Sequence, residues 1–247
     1  MIRLCLLFLL MPGLAHAACR QALAMGLDVS GSVDAVEYRL QLDGLAIALN
    51  SGKVQDVLFI QPDAPVEVLV YEWSGPDDQT VIVPWTALAS PLDLAQVTAT
   101  LRNHQRTPAA PTTAVGSAML AGFAFLEQRA ACWKRTLDLS GDGPTNTGPR
   151  PQDIGDERTP TGVVVNGLVI GADDTRGGDE RFADIKELSS YYSTYVLRGP
   201  DAFVEAALGF EDYAAAMERK LLRELASIAI GDAGTGEASD LGQTTLQ

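Results

Sequence analysis

The chain has 247 residues, with 18 Lys and Arg against 32 Asp and Glu, a formal net charge of −14 and two histidines. Such an acidic balance excludes the basic stripe that nucleic-acid binding needs, and it suits an exported soluble protein whose sites attract cations. The histidine count excludes a His-rich metal centre, and the length fits one α/β domain or a small pair.

Residues 1–17 read as a signal peptide. Arg3 supplies the positive start, Leu4 to Met11 the apolar run, and Ala15-His16-Ala17 the small residues before a cut ahead of Ala18. The protein is therefore expected to be exported, either periplasmic or secreted. The apolar run is too short to span a bilayer, so no transmembrane segment is expected after cleavage. A retained anchor and a lipoprotein signal ending at Cys19 are the alternatives; His16 stands where the latter wants Leu.

From there apolar runs alternate with amphipathic stretches. Ala22–Leu27 is wholly apolar, as in a strand buried on both faces. Asp34–Leu49 reads as a helix, with Asp34 and Glu37 resembling a capping box. Val66–Trp73 and Val81–Trp85 are predicted strands joined by Ser74-Gly75-Pro76-Asp77-Asp78, a connection suited to a hairpin. Pro84 places the second at a sheet edge. Leu92–Leu101 and Val115–Arg129 are predicted helices, Arg135–Leu139 and Val163–Ile170 strands, and Asp179–Leu188 a helix. Ala202–Ala207 is a short strand and Tyr213–Leu225 a last amphipathic helix. This alternation predicts an α/β fold with a doubly wound, mostly parallel sheet, one antiparallel edge strand and helices on both faces. The domain is expected over 18–229. Residues 230–247, rich in Gly, Asp, Ser and Thr, are predicted to be a disordered tail.

Asp28-Val29-Ser30-Gly31-Ser32 sets three oxygen-bearing side chains on one strand-to-helix turn, which is what a hard divalent cation requires. Ser140-Gly141-Asp142 ends another predicted strand, and Thr112-Thr113 opens a helix. In open α/β sheets ligands gather at the carboxyl ends of strands where strand order reverses. If the strands of Asp28 and Asp142 are neighbours, the three turns converge. Taken singly, each turn has a plainer reading. Asp28 and Ser30 could cap a helix, Asp142 could serve a Gly-Asp-Gly turn, and the threonines could be an N-cap.

Together, Asp28-Val29-Ser30-Gly31-Ser32, Thr113-Ala114-Val115-Gly116 and Ser140-Gly141-Asp142-Gly143 resemble the metal-ion-dependent adhesion site of von Willebrand factor type A domains. The chain further resembles a bacterial exported family of that fold with no assigned function. The residues concerned are Tyr71-Glu72-Trp73-Ser74-Gly75, Val83-Pro84-Trp85, Asn166-Gly167-Leu168 and Gly199-Pro200-Asp201-Ala202-Phe203. The resemblance implies that Ser30 and Ser32 ligate the metal directly and that Asp28 and Asp142 act directly or through water. Thr113, or Thr112 if the register slips by one, adds a further ligand. Glu72 and Ser140 stand as possible support. The ion implied is Mg²⁺, with Mn²⁺ or Ca²⁺ as substitutes, and a carboxylate from a partner protein completes its shell.

The resemblance also places the segments after Cys19 and Cys132 as adjacent parallel strands, which makes a disulfide geometrically plausible; two separate thiols are the alternative. A non-catalytic binding module is the first reading of function. A metal-dependent hydrolase or phosphatase, and a structural domain with a vestigial site, are the others. Against a hydrolase, His104 lies in a polar segment, Asn103-His104-Gln105-Arg106, where a solvent-exposed role is expected, so no Ser-His-Asp set assembles. Asp173, Asp174, Asp179 and Glu180 form an acidic cluster without recognisable calcium-loop spacing, and read as a solvated loop.

Overall fold

The computed structural model describes residues 18–171 and 178–232, with the side chains of 178–181 and 227–232 left aside. The predicted signal segment, most of the predicted tail and most of the Asp173–Glu180 cluster therefore lie outside what is described. Among the described residues there are six strands: β1 (Gln21–Asp28), β2 (Val66–Trp73), β3 (Gln79–Leu88), β4 (Lys134–Gly141), β5 (Val163–Ile170) and β6 (Val204–Ala207). They form one sheet in the order β3-β2-β1-β4-β5-β6. All pairings are parallel except β2 with β3. Strand order reverses between β1 and β4, so their carboxyl ends flank the crevice where such sheets bind ligands.

The helices are α1 (Ala35–Leu49), α2 (Gly52–Leu58), α3 (Pro91–Asn103), α4 (Val115–Glu127), α5 (Gly178–Tyr191) and α6 (Tyr213–Asp232). Leu42 and Leu45 of α1, Val97 of α3 and Leu221 of α6 bury against one sheet face, together with Leu23, Met25 and Leu27. Met119 and Phe123 of α4 and Ile185 and Leu188 of α5 bury against the other, with Leu137, Leu139 and Val165. β1 is buried along its whole length because both faces are covered, which is why it reads as a continuous apolar run.

The predicted α/β class, with its single antiparallel edge strand, is the observed one. Pro84 lies on the edge strand β3, near an irregularity in the β2–β3 register, where a missing N–H costs no ladder bond. α2 has no counterpart in the predicted elements; Ser51 caps its seven residues. A π-helical turn, Tyr192–Val196, extends α5 without having been predicted. α6 continues past the predicted end at Leu225 to Asp232, so the first three residues of the expected tail are helical. Ala226-Ser227-Ile228-Ala229-Ile230 contains no helix breaker before Gly231, and nothing stops the helix earlier.

Cys19 and Cys132 are bonded to each other just ahead of the neighbouring strands β1 and β4, at the sheet end opposite Asp28. The Trp133 N–H donates to the Cys19 carbonyl at 3.0 Å, continuing the β1–β4 pairing into the disulfide.

Candidate metal centre

The first turn leaves β1 at Asp28, which is 1% exposed. Its Oδ1 accepts from the Ser30 N–H at 2.8 Å, folding the carboxylate over its own loop. Helix capping, the plainer role for Asp28 and Ser30, belongs instead to Asp34. Its side chain accepts from the Val36 and Glu37 N–H groups while Glu37 accepts from the Asp34 N–H. Asp28, Ser30 and Ser32 are thus free for other work.

The second turn docks against the first. The Gly31 N–H donates to the Pro111 carbonyl at 3.1 Å, and a Cβ at Gly31 would stand 2.9 Å from that oxygen. Glycine is required there because two backbones meet. Thr113 is held at both ends. Its N–H donates to Asn146 Oδ1 at 2.9 Å, and its carbonyl accepts from the Asn146 N–H at 2.8 Å. The Ala114 N–H donates to the Ser74 carbonyl at 2.7 Å, fixing the start of α4 to the end of β2. Gly116 lets α4 lie against the 149–150 backbone, since a Cβ there would meet the Pro149 carbonyl at 2.0 Å.

The third turn brings Asp142. Its Oδ1 accepts from Ser32 Oγ at 2.9 Å; Ser32 Oγ lies 3.2 Å from Ser30 Oγ, which accepts from Thr113 Oγ1 at 3.3 Å. Thr113, Ser30, Ser32 and Asp142 therefore form one continuous chain of oxygen contacts, with Asp28 bound to it through the Ser30 backbone. Thr112 is outside this chain, half-buried on the preceding residue, so the structure brings in Thr113.

Burial, then the nearby Asp142 charge, pushes the Asp28 carboxyl up to about 7. Burial also raises Asp142, with the Ser32 hydroxyl opposing it. Asp28 Oδ2 is buried without a hydrogen-bond partner, as are Tyr192 Oη and Trp73 Nε1, both in fully buried side chains. Burial, then the Asp28 and Asp142 charges, raises the Tyr192 hydroxyl. Two carboxylates and three hydroxyls on a pre-bent backbone match the ligand chemistry of a hard divalent cation. Such an ion would offset the burial that raises both acids and the Asp142 charge that adds to it at Asp28.

Several residues that organise the centre were not singled out from sequence. The Arg106 guanidinium donates to the carbonyls of Val33 at 2.7 Å, Val29 at 2.9 Å and Ser30 at 3.2 Å, gripping the first turn from behind. Asn146 holds Thr113, and Gln41 Nε2 donates to the Asp28 carbonyl at 2.9 Å. No local pattern announces any of them, because each acts on backbone far away in sequence.

Glu72 lies behind the centre, accepting from the Tyr38 hydroxyl at 2.5 Å and so anchoring α1. Ser140 Oγ lies 3.2 Å from the Tyr213 hydroxyl on the α6 face and does not join the oxygen chain. His104 departs from the expected solvent-exposed role. Its ring is 22% exposed, with Nε2 3.4 Å from Glu72 Oε1, because the segment after α3 folds back over the start of α1. Cys19, Glu67 and Cys132 also approach one point, but the two sulfurs are bonded to each other and offer no thiolate.

No curated protein matches the chain. Among solved structures it is similar to proximal thread matrix protein 1 (PTMP1) from the mussel byssus, at 16% identity and a TM-score of 0.56, covering 85% of this chain and 47% of that one. It is similar to a von Willebrand factor type A protein from Catenulispora acidiphila, at 15% identity and a TM-score of 0.55, covering 85% and 43%. It is also similar to the pilus adhesin SpaC from Lactobacillus rhamnosus GG, at 13% identity and a TM-score of 0.53, covering 86% and 31%. The chain spans less than half the length of each of these proteins. At these identities the likeness establishes the fold, that of a von Willebrand A-type domain. A family model matches residues 18–229, and on that match the chain belongs to the family described as Protein of unknown function (DUF1194).

Proposed function

We propose that this is an exported, non-catalytic binding module that engages a carboxylate of a partner protein through one divalent cation. Asp28, Ser30, Ser32, Thr113 and Asp142 would hold the ion, Mg²⁺ first, with Mn²⁺ or Ca²⁺ able to substitute. Residues 1–17 would be removed on export, leaving 18–229 as the working domain. The observation that carries this reading is the chain of contacts joining Thr113, Ser30, Ser32 and Asp142 from three turns, next to a buried Asp28 whose Oδ2 has no hydrogen-bond partner. The bound ion would supply a positive centre on an otherwise acidic surface, which is what a partner carboxylate needs.

Two neighbours of the fold lend support: PTMP1 is described with a zinc-occupied MIDAS motif, and SpaC is a pilus adhesin. The hydrolase alternative gains nothing from His104, which faces Glu72 behind the first turn.

The test has two parts. In millimolar Mg²⁺ the melting temperature should rise by roughly 5–10 °C over that in chelator, as expected at about a hundredfold excess over Kd. Exported proteins captured on the chain should be released by chelator and lost with Asp28→Ala or Asp142→Ala. Unchanged melting on metal addition, or the same partners retained by both variants, would falsify the proposal.

A further inference from the structure

A second feature adjoins the candidate metal centre. Between β5 and α5 lies a cavity of about 330 Å³ that Asp142 shares with the oxygen cluster. Ile170, Gly171, Ile185 and Leu188 line its depth, with Pro144 and Tyr191 also on its walls. Phe182, one turn before Ile185 on α5, is 61% exposed. Asp184 and Glu187 also line this cavity and are exposed. The site thus runs from carboxylates and hydroxyls at one end to aliphatic side chains at the other, under an acidic rim.

We infer that the partner segment carries, next to its metal-binding carboxylate, a large aliphatic side chain that lodges between β5 and α5, with basic residues alongside. The inference rests on the metal-bridging reading above and names the partner's chemistry. Continuity supports it. Asp142 belongs to both places, so a segment whose carboxylate sits on the ion reaches the cavity within a residue or two. The volume admits a leucine-sized group, and burying one against Ile170, Ile185 and Leu188 contributes affinity that the exposed ion contact alone lacks. Charge complementarity sets the flanks. A chain of net charge −14 repels an acidic segment, and Asp184 with Glu187 places part of that charge at the cavity itself. Lysine or arginine beside the carboxylate removes the penalty, and an all-acidic segment does not.

Three labelled pentapeptides test this on the full chain, by fluorescence anisotropy in Mg²⁺ and in chelator. The first is lysine–leucine–aspartate–leucine–lysine; the second replaces both leucines by glycine; the third replaces the aspartate by asparagine. The first should bind about tenfold tighter than the second, both only with Mg²⁺, and the third should not bind. Ile185→Asp should abolish the leucine preference. Because that position is buried, Asp184→Lys with Glu187→Lys serves as a second variant on exposed positions, with a cooperative melt showing that it is folded. It should weaken the lysine-flanked peptide several-fold. Equal, metal-dependent binding of the leucine and glycine peptides overturns the cavity assignment and leaves the metal reading standing. Binding that ignores chelator, or that survives the asparagine replacement, overturns the metal reading and this inference together. Unchanged affinity in the double lysine variant overturns the basic flanks.

Discussion

Asp28 Oδ2 is buried with no hydrogen-bond partner, and Asp142 stands close enough for its charge to disfavour ionisation of Asp28. Without a cation this is a costly arrangement. Asp28→Asn keeps the shape, removes the buried charge and removes one of the two carboxylates proposed to hold the metal. In chelator the variant should be more stable than the unmutated protein at pH 8, by about 1–3 kcal/mol, while losing the rise in melting temperature on Mg²⁺ addition. Urea denaturation with and without metal reads both effects; a variant less stable in chelator, yet still raised by Mg²⁺, contradicts the assignment. Arg106 offers an independent handle, since its guanidinium fixes three carbonyls of the first turn and lies over the Tyr38 ring at 5.5 Å. Arg106→Ala should weaken Mg²⁺ binding about 10–100-fold with every ligand still present, as measured by metal titration. Lysine, lacking the planar fork, should not rescue it. The five candidate ligands could be proposed from sequence because each lies in a short turn with a recognisable order of residue types. Arg106, Gln41 and Asn146 were not, because their partners are carbonyls, amides and hydroxyls brought near only by the fold. Sequence alone likewise left Thr112 and Thr113 open; the fold brings the Thr113 hydroxyl, 3.3 Å from Ser30 Oγ, into the oxygen contacts.

At the scale of elements, α6 is bound to the sheet by buried charge. Lys220 Nζ stands 2.7 Å from Asp138 Oδ1 on β4 and 2.6 Å from Glu224 Oε1, and Asn166 Nδ2 of β5 donates to Glu224 Oε1 at 2.7 Å. Lys220 is 0% exposed and Asp138 1%. Burial pushes the Asp138 carboxyl up; the Lys220 ammonium opposes this and the Glu224 charge adds to it. The Lys220 ammonium lies between the two carboxylates, so Lys220→Met should leave the buried Asp138 without its ion-pair partner and cost about 3–5 kcal/mol by chemical denaturation. The sign of the pH effect follows from the raised carboxyl. Folded protein keeps a proton that the unfolded chain has already released, so this contribution is lost as pH rises from the ordinary carboxylate range through the raised value. In chelator, stability should therefore fall between pH 5 and pH 8, with Asp28 contributing over the same range, and Asp138→Asn should reduce that slope; an unchanged slope would place the titration elsewhere. β1, β2, β4 and β5 could be read as strands because they are buried along most of their length and so carry largely apolar runs. α2 escaped because Ser51-Gly52-Lys53 has the composition of a loop, and its seven residues show too little periodicity to betray a helix. The π-helical turn escaped because Tyr192–Val196 departs from the helical period on which such reading depends.

Across the whole molecule, the sheet separates a covalent end from a chemical end. The Cys19–Cys132 bond joins the starts of β1 and β4, whose other ends deliver Asp28 and Asp142. Its two ends are 113 residues apart in sequence, and the loop they close contains β1, α1, α2, β2, β3, α3 and α4. In the chain-entropy account, closing so long a loop stabilises the fold by about 4–5 kcal/mol, chiefly by restricting the unfolded chain. The candidate metal centre has its own supports in Arg106, Asn146, Gln41 and the contact of Gly31 with Pro111, all at the far end of the strands. The two contributions should therefore separate. Cys19→Ser with Cys132→Ser should lower the free energy of unfolding by that amount, and should expose no change in Mg²⁺ affinity at temperatures where the variant remains folded. Thiol labelling of the unfolded, unreduced protein should find neither Cys19 nor Cys132 reactive, whereas prior reduction should reveal both. If the double variant stays folded but loses Mg²⁺ affinity, the strand pair itself transmits order from the disulfide to the turns. Independence of the two ends would then be wrong, and the bond would belong to the binding function as well as to stability.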